Sequence, residues 1–212
     1  MQLEHVRFVG SAGAELAGVV RRPPGEVVGS ALIAHCFTCG KDLHTTARLS
    51  KALTRAAVTL IERNAGPCLL IGHSLGGAAA VLAASRLKTV ARVIAIASPG
   101  DVAHVDHLFA DAPRIEDGSA CATIGGRVFR IGAKFQADLE RHDVTAAAAT
   151  LDRPFLVVQA GADTVVGTEQ TRRLAEAGGA DLVTIEGADH LFTGPEASRR
   201  LAEAVLAWLD RT

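Results

Sequence analysis

The sequence predicts an α/β fold: a mostly parallel, doubly wound sheet with flanking helices. Five short apolar runs are continuous rather than alternating, as strands buried on both faces of a parallel sheet require. Between them lie stretches with helical spacing of Ala and Leu, and strand–helix alternation of this kind builds such sheets. The chain has 212 residues, 49% apolar and 21% charged. That is an ordinary globular composition, read as a single domain over 1–212 with enough chain for a real core.

The first thirty residues differ from the rest. Val6–Phe8 and Leu16–Arg21 flank Ser-Ala-Gly-Ala-Glu and read as an antiparallel hairpin, closed by Pro23-Pro24-Gly25. The continuous apolar runs follow: Ala31–His35, Cys68–Gly72, Ala91–Ser98, Phe155–Gln159 and Leu182–Glu186. Helical spacing covers Thr45–Asn64, where Leu49, Leu53, Ala56, Leu60 and Ile61 share a face, then Gly76–Leu87, Val166–Ala177 and Glu196–Leu209. The stretch Asp111–Leu151 interrupts the alternation. It holds two β-like pieces, Cys121–Ile124 and Val128–Ile131, around Gly125-Gly126, then an amphipathic segment from Ala133 to Arg141. It reads as a small cap-like excursion from the sheet.

Composition excludes several classes of function. A net charge of −1 offers no electrostatic case for nucleic acid or for an anionic membrane. The absence of Tyr and the single Trp argue against a stacking platform for sugars or bases. The start Met-Gln-Leu-Glu-His has no basic n-region or apolar h-region. No apolar run approaches the ~20 residues that span a bilayer. A cytoplasmic protein is expected, with Cys36, Cys39, Cys68 and Cys121 as reduced thiols.

The chemistry centres on Gly72-His73-Ser74-Leu75-Gly76, which follows a buried strand and opens a Gly- and Ala-rich helix. That context makes a G-x-S-x-G pattern a nucleophile elbow. The tight turn demands small residues two before and two after the serine. It lifts Ser74 clear of the sheet, beside a helix N-terminus that favours developing negative charge. A serine hydroxyl needs a base, and the base an orienting carboxylate. Asp163, in Ala160-Gly-Ala-Asp163, follows one strand; His190, in Gly187-Ala-Asp-His190, follows the next. Both fall at the carboxyl edge of the sheet, where Ser74 lies and where open α/β sheets build their sites. Asp163 can also serve as a helix N-cap, and Asp101 is the rival acid. Of the two oxyanion donors, one is expected from the Leu75 backbone N–H. The other is expected from the loop after Ala31–His35, at Phe37. His73 occupies the variable position of the elbow and is read as a minor factor. Cys36-Phe-Thr-Cys39 is a C-x-x-C after a strand, open to a redox reading; no second such pair completes a zinc site. No metal and no cofactor are expected.

Ala34-His-Cys-Phe-Thr-Cys-Gly-Lys-Asp42 together with Leu69-Leu-Ile-Gly-His-Ser-Leu-Gly-Gly77 resembles the bacterial α/β-hydrolases often fused to an OsmC-like domain. Gly125-Gly-Arg-Val-Phe-Arg130 and Gly187-Ala-Asp-His190 are similar to the same group. The resemblance runs along nearly the whole chain and implies the α/β-hydrolase fold and the triad. It supplies no substrate, and with the chain ending at Thr212 the OsmC-like half is expected to be absent. One departure stands out. The family pattern places a further strand and helix before the elbow strand, whereas only Ala57–Pro67 intervenes here. The fold is thus expected to be short of one strand–helix unit, with a sheet edge exposed or repaired by the hairpin.

These readings combine into one expectation: a serine hydrolase that cleaves a small carboxylic ester or related acyl compound through Ser74, His190 and Asp163. Two alternatives remain open at this level. One is a non-catalytic protein of the same fold that binds a ligand or partner; the other is a thiol-redox protein using Cys36 and Cys39.

Overall fold

The computed structural model describes residues 2–10, 13, 15–24, 30–36, 48–50, 69–103, 111–124, 127–132 and 134–212. Phe37, Cys39, Cys68, the Ala57–Pro67 connection and most of the helix expected over Thr45–Asn64 lie outside these residues; residues 48–50 are helical.

The strands β1 (Gln2–Val9) and β2 (Glu15–Arg22) pair antiparallel as a separate two-stranded sheet, the expected hairpin. The central sheet has five parallel strands. In chain order they are β3 (Ala31–Ala34), β4 (Leu69–His73), β5 (Arg92–Ile96), β8 (Phe155–Ala160) and β9 (Asp181–Ile185), and they are neighbours in that same order. Between β5 and β8 the chain makes a second antiparallel pair, β6 (Ala120–Ile124) and β7 (Arg127–Ile131). The helices are α1 (Leu75–Ala84), α2 (Phe135–Leu139), α3 (Val144–Ala149), α4 (Thr168–Gly178) and α5 (Pro195–Leu209). Among the described residues β3 pairs only with β4, so it forms the edge of this sheet, and Leu32 upon it is 57% exposed.

The continuous apolar runs divide between two cores by the two-residue period of a strand. Leu70, Val93, Ala95, Phe155 and Val157 face one way and meet Val81 and Ala84 of α1, Ala148 of α3 and Leu174 of α4. Leu69, Ile71, Ile94, Ile96, Leu156 and Val158 face the other way and meet Leu201, Val205 and Trp208 of α5. Each large side chain taken fully out of water contributes roughly 1.5–3 kcal/mol, so the sheet is held from both faces. Trp208 is 1% exposed, and its indole N–H donates to the Asp181 carboxylate at 2.7 Å. This clamps α5 onto β9, the strand that leads to His190.

Three local readings needed the structure. The strand expected over Ala91–Ser98 stops at Ile96 because Ala97 takes a φ of 45°, a left-handed conformation incompatible with strand pairing. Helix α3 had no counterpart in the sequence reading; Asp143 caps it by accepting from the Ala146 N–H at 2.8 Å. Cys36, expected as a reduced thiol, is disulfide-bonded. Such a bond requires a second cysteine within bonding reach, a relation that spacing along the chain does not report. Cys121 is a free thiol, as expected.

Candidate active site

Ser74 stands between the last residue of β4 and the first of α1, with φ 57° and ψ −128°. A non-glycine residue in this region carries roughly 1–3 kcal/mol of strain, which its surroundings must offset. Three contacts hold it: its N–H donates to the Ile96 carbonyl at 2.8 Å, and its own carbonyl accepts from the N–H groups of Gly77 at 2.8 Å and Ala78 at 3.3 Å. The glycines of the motif follow from close approach. A Cβ on Gly72 would lie 2.0 Å from the Gly76 carbonyl oxygen, and one on Gly76 would lie 2.5 Å from the carbonyl oxygens of Ala34 and His35. Leu75 is the first residue of α1, so no carbonyl within its own helix can accept its N–H.

Asp163 and His190 lie in the turns that follow β8 and β9. These turns are joined by backbone bonds from Gly161 N–H to the Ile185 carbonyl (3.0 Å) and from Ala162 N–H to the Ala188 carbonyl (2.8 Å). His190 Nδ1 lies 2.8 Å from Asp163 Oδ2, and both residues are 9% exposed. The other carboxylate oxygen, Oδ1, accepts from the N–H groups of Val165 (2.8 Å) and Val166 (3.0 Å). Burial alone would raise the Asp163 carboxyl. The hydrogen bond and charge of His190, with the two backbone donors, outweigh it and hold the group below the ordinary carboxylate range. An ionised Asp163 accepts the Nδ1 proton of His190, which leaves the lone pair on Nε2.

His73 joins the elbow to this pair. Its Nε2 lies 2.7 Å from the main-chain carbonyl of His190. The two imidazole rings are 4.9 Å apart at 39°, and Phe192 meets the His73 ring edge-on at 6.4 Å and 68°. Burial pushes His73 down to about 4, and the neighbouring His190 ring acts in the same direction. From its place in the elbow His73 is expected to be a minor factor; the contact spans 117 residues of chain, and no local pattern signals it.

The other expected residues separate clearly. Ser74 is buried among the described residues, 6% exposed. Phe37, the expected second oxyanion donor, lies outside them. Asp101, the rival acid, turns its carboxylate onto the Ala103 N–H at 2.9 Å. Asp189 accepts from the Thr193 N–H at 2.8 Å and so fixes the turn that carries His190. Of the redox pair, Cys36 is 2% exposed and already oxidised, and Cys39 lies outside the described residues.

A serine on a strained strand–helix turn, with a bonded His–Asp pair in the turns after two later strands of the same sheet, is the arrangement around which one fold family is built. The family model for alpha/beta hydrolases matches residues 16–204. The chain belongs to the alpha/beta hydrolase family. This alpha/beta hydrolase is similar over 100% of its length to 99% of the esterase domain of a Rhodothermus marinus protein, with 34% identity and a TM-score of 0.84. Est1E from Butyrivibrio proteoclasticus shares the fold at 15% identity, with 98% of each chain covered and a TM-score of 0.79. A second structure of Est1E, with ferulic acid bound, matches at 14% identity and a TM-score of 0.72, over 99% of this chain and 94% of that one. No curated protein matches the chain. No helix among the described residues is long and apolar enough to cross a membrane.

Proposed function

We propose that this alpha/beta hydrolase is an esterase-like serine hydrolase acting on a small carboxylic ester or related acyl compound, with Ser74 as nucleophile, His190 as base and Asp163 as orienting acid. The observation that carries the proposal is the buried His190–Asp163 bond of 2.8 Å, with the His190 carbonyl tied to His73, the residue next to Ser74. The Rhodothermus marinus esterase domain, 34% identical over the whole chain, supports the same reading.

The chemistry runs as follows. Ser74 Oγ attacks the ester carbonyl carbon while its proton passes to His190 Nε2, and the imidazolium is stabilised by Asp163. The carbonyl oxygen becomes an oxyanion that accepts from the Leu75 N–H and, in this proposal, from Phe37 N–H. The carbon–oxygen bond to the alcohol then breaks, and the alcohol leaves with the proton from His190. Water gives a proton to His190 and attacks the acyl-enzyme; the acid departs and Ser74 regains its proton. No metal or redox partner is needed to balance these steps.

The second reading, a non-catalytic member of the fold that binds a ligand, differs in having no productive contact between Ser74 and His190. In ligand-free sites catalytic hydrogen bonds are often long and tighten only with substrate, so a rate measurement decides. Acetyl to octanoyl nitrophenyl esters should be hydrolysed by the wild type. Ser74→Ala should lose about 10³-fold or more. Equal rates for the two proteins would reject Ser74 as nucleophile, and no hydrolysis by folded wild type would favour the binding reading.

A further inference from the structure

We infer that His73 is a positioning residue: its Nε2–H, donated to the main-chain carbonyl of His190, sets the base against the nucleophile elbow. The inference rests on the hydrolase reading for its purpose, though its geometry stands apart from it. His73 is the last residue of β4 and Ser74 the next, so whatever holds His73 holds the nucleophile's backbone at one Cα step, about 3.8 Å. His190 is carried by a turn beyond β9, three strands away across the sheet. The Asp163 bond fixes the rotation of the His190 ring but not its distance from the elbow. The 2.7 Å bond from His73 is a direct polar link between the two segments.

The choice of residue points the same way. His73 Nδ1 is buried without a hydrogen-bond partner, a cost that an apolar side chain of similar size would not carry. A histidine here is therefore explained by what Nε2 does rather than by filling space. The ring is buried against His190 on one side and Phe192 on another, and Phe192 itself takes a φ of 51°, which turns the chain sharply after His190. The charged and titratable groups acting on His73 are His190, Asp163 and His35. Burial outweighs the attraction of Asp163, so the ring stays neutral near pH 7. Its one proton is then committed to Nε2 by the His190 carbonyl, and no second cation sits 4.9 Å from the base.

Two variants test this. His73→Gln keeps an N–H that can reach the His190 carbonyl; His73→Leu fills much of the space without a donor. Nitrophenyl ester hydrolysis by His73→Leu should fall about tenfold to 100-fold, in kcat with KM held within about twofold, and His73→Gln should recover most of the loss. Independently of turnover, the Nδ1 proton resonance of His190 should be sharp in wild type and His73→Gln and broadened in His73→Leu. In wild-type protein, 15N shifts near pH 7 should report His73 protonated at Nε2 only, which needs no variant to fold. The proposal is overturned if folded His73→Leu keeps both rate and resonance, if His73→Gln fares no better than His73→Leu, or if His73 carries its proton on Nδ1. Failure of the hydrolase reading would show separately, as Ser74→Ala hydrolysing like wild type while the His190 resonance still responds to His73.

Discussion

Acidification should destabilise the fold through His73 before it reaches the carboxylates. The imidazole is 6% exposed and held at about 4 in the folded chain, against 6.5 for a free histidine. Between these values the unfolded chain binds a proton that the folded chain refuses. Stability therefore rises with pH through this window, and falls as pH drops below about 6.5 towards 4. At ~1.4 kcal/mol per pH unit, the loss from pH 7 to pH 4 is about 3 kcal/mol, with about 1 kcal/mol already gone by pH 5.5. Asp163 acts lower. Its carboxyl is held below 3.8, so the stability it contributes is present above that value and is lost only as pH falls further. The chain's single tryptophan, Trp208, is fully buried and reports unfolding by fluorescence. Urea titrations of wild type and His73→Gln from pH 7 to pH 4 isolate the effect, because the remaining groups are common to both. The wild type should lose about 3 kcal/mol more than the variant over that range. Parallel curves would refute the claim that His73 is buried neutral.

Asp163→Asn should keep the fold, since the amide oxygen can still accept from Val165 and Val166, yet lower kcat by about 10³-fold or more by presenting a donor to His190 Nδ1; steady-state kinetics on a nitrophenyl ester check it. Gly76→Ala should cost more than about 2 kcal/mol or abolish soluble expression, because the added Cβ meets two carbonyl oxygens at 2.5 Å; urea unfolding measures it. Asp181→Ala removes the acceptor for the buried Trp208 indole and should cost about 1–2 kcal/mol in the same assay, with a change in Trp208 emission.

How far the sequence foretold this site depends on the range over which each feature is encoded. The elbow was legible because its constraint is local: Gly72 and Gly76 are required by backbone contacts inside one turn and with the strand alongside. The meeting of Asp163 and His190 was legible from their positions after apolar runs that a two-sided core demands. The parallel sheet followed from the same runs. His73 was undervalued because its partner is 117 residues away and is a backbone carbonyl, which carries no residue identity to read. Helix α3 was missed although Asp143 and the alanines after it form a capped start. The signal was short and lay in a stretch read as an excursion from the sheet. The oxidation of Cys36 depends on a spatial encounter that spacing does not specify.

In the proposed mechanism Ser74 is a nucleophile activated by His190 and Asp163. Reaction with a fluorophosphonate, followed by intact mass and peptide mapping, tests it most directly. One adduct per chain should form on the peptide that contains Ser74, slowed about 100-fold or more in His190→Ala and absent in Ser74→Ala. An adduct on another residue, or no adduct in protein whose Trp208 emission is native, would contradict it.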